Sequence, residues 1–256
     1  MYIMELLKTS NISKIYNYGK ENQVVALNNI NLSIPSGEFV VVMGPSGAGK
    51  STLLSVLTTI LEPTSGEVYI DGENINQMDD VKRSEFRYKE LGFIYQNFNL
   101  IESLTIFENI ALPLSLAEDT RKEIYRKVNE TAKHLGIESL LMKYPMECSG
   151  GQQQRVAVAR TLANSPKLIV ADEPTGNLDS TTSHEVMKLL SKLNKEGTTI
   201  LLVTHDSTIA SYGSRLLYIN DGVIEKEIVR GNKDKKTFFN EIVDIHSKET
   251  FLEDDD

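Results

Sequence analysis

Cysteine is almost absent: the chain of 256 residues holds one, Cys148. A lone thiol excludes an internal disulfide and fits a reducing cytosol. Long apolar runs are missing too. No stretch approaches the roughly 20 apolar residues that a membrane-crossing helix needs, so work at a membrane requires another chain to do the crossing. Residues 1–10 carry Glu5 and lack a long apolar core, so no signal peptide is read there. Basic residues are outnumbered, 27 Lys and Arg against 36 Asp and Glu. The resulting net charge of -9 argues against general nucleic-acid binding, which needs a basic face; a local basic patch stays open. The remaining composition, 40% hydrophobic and 25% charged, suits one well-packed domain, or a core with a smaller subdomain.

The chain is organised around residues 38–60. Phe39-Val40-Val41-Val42-Met43 reads as a strand buried on both faces. Gly44-Pro45-Ser46-Gly47-Ala48-Gly49-Lys50-Ser51-Thr52 follows and fits G-x-x-x-x-G-K-[ST] at every fixed position. Leu53, Leu54, Leu57 and Ile60 then recur at helical spacing. Gly44, Gly47 and Gly49 let the backbone curl and turn its N–H groups toward phosphate oxygens. The positive end of the helix dipole points at the same place. Lys50 supplies charge to the β- and γ-phosphates, and the Ser51 hydroxyl suits Mg²⁺. The loop says nucleoside triphosphate; it does not say what the energy is used for.

Upstream, Ile30, Leu32 and Ile34 alternate with polar residues and predict an antiparallel strand, with Leu6 to Ile15 as its partner. Tyr16 lies between them. An aromatic there stacks on an adenine ring or sits half-buried in the core, and position alone leaves both open. After the loop helix, residues 66–72 alternate and turn at Asp71-Gly72, which predicts a short hairpin. Arg83, Arg87 and Lys89 read as the solvated face of a polar helix. Leu91 to Gln96 reads as a buried strand whose terminal Gln96 can reach a metal or water; in isolation, a surface glutamine is the simpler explanation. Residues 105–116 and 118–136 read as helices, the second with an apolar stripe of Ile124, Val128, Ala132 and Leu135 for packing.

Ser149-Gly150-Gly151-Gln152 opens another helix. Ser149 is a natural N-cap, and the two glycines expose N–H groups to an anion. Leu168 to Glu173 predicts a third buried strand, ending in two acids. Asp172 is placed to hold Mg²⁺, and Glu173 to orient or deprotonate the attacking water. A loop with Asn177 and Asp179 follows, then a helix over 183–193. Residues 198–206 predict a fourth buried strand, ending in His205. A lone histidine is usually structural, but three neighbouring strands also end in polar groups, which favours a γ-phosphate contact. A hairpin turns at Asp221-Gly222. From Gly231 the chain becomes polar and ends in a run of acids, expected to be a mobile tail.

This ordered set resembles the ATP-binding subunit of ABC transporters over about residues 5–230. The resemblance implies an α/β fold: a P-loop NTPase core of RecA type with a mainly parallel sheet, an antiparallel β subdomain and a helical signature subdomain. It implies one domain over 1–256, with the nucleotide-binding core and β subdomain at 1–96 and 160–230. The helical subdomain takes 97–159 and a C-terminal tail 231–256. It also implies a homodimer arranged head to tail. Each ATP would lie between Gly44 to Thr52 of one copy and Ser149, Gly150, Gly151 and Gln152 of the other, with Asp179 nearby. Tyr16 matches the adenine-stacking aromatic of the family. Lys50, Gln96, Glu173 and His205 take catalytic roles, and Ser51, Gln96 and Asp172 hold Mg²⁺.

Within the family, Tyr144-Pro145 and residues 172–179 look like the macrolide-export and lipoprotein-release group. Residues 236–242 are similar to the tail of Bce-type ATPases, which serve resistance to bacitracin or lantibiotics. That implies a permease in the cytoplasmic membrane, a place on its inner face, and a sensor kinase reached through the permease. A regulator of cell-envelope hydrolysis resembling FtsE, or a lipoprotein-release ATPase, is the alternative. No long coiled coil separates the loop from the signature, against a chromosome-type ATPase, and one cassette rather than two argues against a ribosome-type one. Asn-Lys-x-Asp for guanine is missing. One departure stands out: Cys148 replaces the usual leucine of the signature, and a buried cysteine behaves as a small hydrophobe.

Overall fold

The computed structural model describes residues 5–253. In chain order its elements are β1 (Glu5–Tyr16), β2 (Val24–Ile30), β3 (Ser33–Pro35), β4 (Phe39–Met43), α1 (Lys50–Leu57), β5 (Ser65–Ile70), β6 (Glu73–Asn74), α2 (Asp80–Glu90), β7 (Leu91–Tyr95), α3 (Ile106–Leu116) and α4 (Arg121–Leu135). Then come α5 (Gly150–Leu162), β8 (Leu168–Asp172), α6 (Ser180–Lys195), β9 (Thr199–Val203), α7 (Ser207–Ala210), β10 (Arg215–Asn220), β11 (Val223–Val229) and α8 (Lys235–Glu253). The chain divides into two compact units, Met1–Arg83 with Asn194–Asp256, and Ser84–Leu193.

The first unit holds two kinds of sheet. In one, β1 pairs antiparallel with β2, β3 and β5. In the other, β4 lies between β10 and β9, parallel to both, and β11 closes the hairpin after β10. Every residue of β4 and of β9 is buried, as unbroken β-branched and aliphatic runs require of strands covered on both faces. The second unit carries the parallel pair β7 and β8, in register from Leu91 with Leu168 to Tyr95 with Asp172. Its helices α3 and α4 both begin on threonine caps, Thr105 and Thr120, each completed by a glutamate three residues on. Between residues 98 and 163 no strand occurs among the described residues.

Three local expectations change. The strand expected over Ile30, Leu32 and Ile34 is broken in two, because Asn29 turns left-handed (φ 55) just before β2 ends. Thr9 bridges the break: its hydroxyl donates to the Ile30 carbonyl at 3.2 Å and accepts from the Leu32 N–H at 2.8 Å. Arg83 is no solvated residue, with a side chain only 16% exposed and paired with Glu62. The polar stretch after Gly231 folds into α8, whose Phe238 and Ile242 are buried one helical turn apart. α8 packs against α7, and the Lys235 ammonium sits over the Tyr212 ring. The acids Asp254, Asp255 and Asp256 lie outside the described residues.

Candidate nucleotide site and signature segment

In the first unit, the glycine loop follows β4 without a break and runs into α1. Gly44, Gly47 and Gly49 take φ 155, 86 and 100. A Cβ on Gly44 would stand 1.9 Å from the Ile219 carbonyl oxygen, and one on Gly49 2.3 Å from that of Ala26. Two glycines are therefore forced by close backbone approach. Gly47 differs: a Cβ there would meet nothing within 4 Å, so its side of the loop faces open space. The Lys50 ammonium folds back and donates to the carbonyls of Gly44 at 2.8 Å and Pro45 at 2.6 Å. It thereby ties the loop closed around the start of α1. That helix has no acidic residue in its first turn, so no carboxylate of its own opposes an anion at its positive end.

Tyr16 ends β1, 38% exposed, with its hydroxyl 3.4 Å from the Thr52 hydroxyl. An aromatic ring thus stands beside the loop. His205 follows β9 by two residues, and β9 runs parallel to β4. The loop and His205 therefore leave the same edge of one sheet, where ligands of α/β folds gather. Asp206 next to it caps α7, accepting from the N–H groups of Thr208 and Ile209.

In the second unit, the pairing of Tyr95 with Asp172 brings Gln96 and Glu173 to one edge of the β7–β8 pair. Glu173 adopts φ 46, a left-handed conformation that costs a non-glycine residue roughly 1–3 kcal/mol and concentrates at functional positions. Gln96 is wedged against the loop that follows, where a Cβ on Gly176 would come 2.6 Å from its Nε2.

Ser149 caps α5, with Gln152 completing the box. A Cβ on Gly151 would lie 2.3 Å from the Thr182 methyl, so this glycine is needed for the signature to seat on the start of α6. There Asp179 accepts from the Thr182 N–H at 3.0 Å and its hydroxyl at 2.6 Å. Those two bonds hold the Asp179 carboxyl below the usual carboxylate range. Asp179 and Gly151 thus meet around Thr182.

Three further residues of this unit carry structure that sequence reading did not assign. Gln154 is fully buried and donates from Nε2 to the Pro174 carbonyl at 2.6 Å. Asn177 donates to the Gln96 carbonyl at 3.1 Å and to Asn97 Oδ1 at 2.7 Å. Arg160 donates to the carbonyls of Phe98 and Asn99. In a linear sequence Gln154 and Arg160 look like the wet positions of a helix; only the packing of α5 turns them inward.

Cys148 is 8% exposed, and burial pushes its thiol above the ordinary value. Less thiolate is then present at neutral pH than in a free cysteine, and the thiolate is the nucleophile. Maleimide labelling is therefore expected to be slow near pH 7 and to accelerate as pH rises. ATPase activity should decay at the same rate as labelling, because the thiol stands next to Ser149, the cap of α5. A Cys148→Ser protein inhibited equally would show that the loss comes from elsewhere.

Residues 27–176 match the family model described as ABC transporter. The chain belongs to the ABC transporter family. It is an ATP-binding subunit of such a transporter and an ATPase. It is 46% identical over 243 residues to the ABC transporter ATP-binding protein YxdL of Bacillus subtilis, covering 94% of this chain and 93% of the relative. It is 42% identical over 241 residues to the bacitracin export ATP-binding protein BceA of Halalkalibacterium halodurans, covering 94% and 95%. Among solved structures, the dimeric MJ0796 cassette superposes with a TM-score of 0.79 at 45% identity, covering 87% of this chain and 98% of that one. Its sequence relative is the ATP-binding protein MJ0796 of Methanocaldococcus jannaschii. The α/β fold with two kinds of sheet is the fold expected from sequence. Among the described residues no helix is long and apolar enough to cross a membrane.

Proposed function

We propose that this ATPase powers a membrane permease that exports or removes antimicrobial peptides of the bacitracin or lantibiotic class, working at the inner face of the cell membrane. The observation that carries this reading is the reach of the similarity to a bacitracin export ATPase. It covers 94% of the chain, well past the family match at 27–176, and so reaches into α8 with its buried Phe238. A sensor kinase reached through the permease belongs to the same reading.

The residues divide the work as follows. Gly44 to Thr52 cradle the phosphates, Tyr16 stacks on the adenine, and Lys50 meets the charge that develops on the transferred group. Ser51, Gln96 and Asp172 would hold Mg²⁺, which would supply positive charge against the phosphates. With a single carboxylate among them, these ligands suit a cation that shares its shell with phosphate and water. Glu173 orients the attacking water and takes its proton, and His205 steadies the γ-phosphate. Ser149, Gly150, Gly151 and Gln152 of a second copy, with Asp179 beside them, close over the nucleotide. Loss of the γ-phosphate contacts lets the pair open, which is a shift between two populations.

The permease has a natural seat in the second unit. A cavity of about 610 Å³ is lined by Tyr88, Leu91, Phe93, Leu112, Pro113 and Leu116 among others. Leu116 at its rim is 59% exposed. Leu116→Asp is expected to reduce the permease recovered with the tagged ATPase several-fold. As a change at an exposed position it should shift the melting temperature by less than about 2 °C. Undiminished recovery would move the docking surface elsewhere.

Deleting the gene and titrating bacitracin and a lantibiotic against the strain tests the function itself. Sensitisation restored by the wild-type protein, but not by Glu173→Gln, is the expected result. Unchanged susceptibility with lipoproteins retained in the inner membrane would favour the lipoprotein-release alternative. A cell-separation defect would favour the FtsE-like one.

A further inference from the structure

The segment that carries Gln96 is held in an unusual shape. Phe98 and Asn99 are consecutive left-handed residues, at φ 57 and 50. Asparagine tolerates that region; phenylalanine does so only when its surroundings enforce it. The enforcing group is Arg160, in the last turn of α5. Its Nη2 donates to the Phe98 carbonyl at 3.0 Å, and its Nη1 donates to the Asn99 carbonyl by a shorter bond. The next residue, Thr161, donates its hydroxyl to the Phe93 carbonyl at 2.7 Å. Two neighbouring side chains of one helix thus grip the segment before and after Gln96. Asn177 and Gly176 hold it from the other side.

Burial lowers the Arg160 pKa from its usual value, so the site works against the charge it contains. A half-buried guanidinium is held best where acceptors match its planar fork, and here they are two backbone carbonyls. The same side chain lines the 610 Å³ cavity together with Phe93 and Tyr95.

We infer that Arg160 is a positioning residue for ATP hydrolysis: its guanidinium fixes the left-handed pair Phe98–Asn99 and through it sets where Gln96 stands. The inference rests on the reading of Gln96 as a ligand of the metal or water, and it extends that reading to a group that touches neither nucleotide nor metal. It also places one residue both in the lining of the cavity and against the segment that carries Gln96.

A double-mutant cycle on the full-length chain tests this. Arg160→Met keeps the alkyl stem and removes every donor. It is expected to lower kcat about tenfold or more while the KM for ATP stays within about twofold. Arg160→Lys, with the charge but one donor point, should recover part of the loss. In a Gln96→Ala background, Arg160→Met should lower kcat by less than about twofold further, because the two changes disable one unit. A full tenfold loss in both backgrounds would mean a separate, merely structural role and would overturn the proposal. So would an intact kcat in a protein that has only become less stable. Should Arg160→Met fail to fold, Arg160→Lys carries the same cycle. If Gln96→Ala alone keeps full turnover, the assignment of Gln96 falls first and this inference with it.

Discussion

Glu173→Gln is expected to abolish turnover while leaving ATP binding intact, and to make ATP a dimerising ligand. The reasons lie in how the residue is held. β8 delivers Asp172 opposite Tyr95 of β7, and the chain then twists left-handed at Glu173, φ 46. Gly176 N–H closes the turn on the Glu173 carbonyl at 3.0 Å. Glutamine matches glutamate in size and suits the same backbone, so the fold and the phosphate loop in the other unit have no reason to change. What disappears is the capacity to take a proton from water. General-base groups contribute about 10²–10⁴-fold, and a loss of that order is the expected fall in kcat. The nucleotide then persists in the closed pair. Sedimentation with ATP and Mg²⁺ should show a dimer for the variant and mostly monomer with ADP. Turnover within a few-fold of wild type would remove Glu173 from its role. A variant that stays monomeric with ATP at high concentration would remove the two-copy site.

The strand–loop–helix arrangement at the phosphate loop was legible because every level of the pattern agrees there. Phe39 to Met43 is apolar at each position, the glycines fall where the loop must turn, and Leu53 and Leu57 repeat at helical spacing. The hairpins at Asp71-Gly72 and Asp221-Gly222 were legible for the same reason, with Asp71 and Asp221 both left-handed in the structure. What escaped is polar residues turned inward. Arg83, Gln154 and Arg160 carry polar signatures, yet each is held by a specific acceptor: Glu62, the Pro174 carbonyl, and the carbonyls of Phe98 and Asn99. Hydrophobic periodicity scores such positions as solvent-facing. α8 was missed because its buried face is narrow, Phe238 and Ile242 amid lysines and acids. Two anchors one turn apart dock a helix well, but they make a weak linear signal.

Gly49→Ala and Gly47→Ala should separate the two reasons for glycine in one loop, and the first should be the more damaging of the two to the fold. At Gly49 the backbone is at φ 100, and the added Cβ would lie 2.3 Å from the Ala26 carbonyl oxygen and 3.2 Å from a Leu27 methyl. Backbone on the far side cannot rotate away as a side-chain tip can, so β2 and the start of α1 must part. Left-handed strain and forced displacement together cost at least about 3 kcal/mol, or a fall of roughly 6–12 °C in the melting temperature for a chain of this size. The Gly49 N–H lies in the phosphate-facing loop, so ATP affinity should fall by about 100-fold or more. At Gly47, φ is 86 but the methyl enters open space. Only the backbone strain of about 1–2 kcal/mol remains, and the melting temperature should fall by about 2–8 °C. Its cost should therefore appear mainly in nucleotide affinity, because the methyl enters the open side of the loop that we propose faces the phosphates. Thermal melts without nucleotide, run beside ATP titrations of both variants, read the two effects separately. Equal destabilisation by the two methyls would mean that close approach to Ala26 is not what requires glycine at position 49.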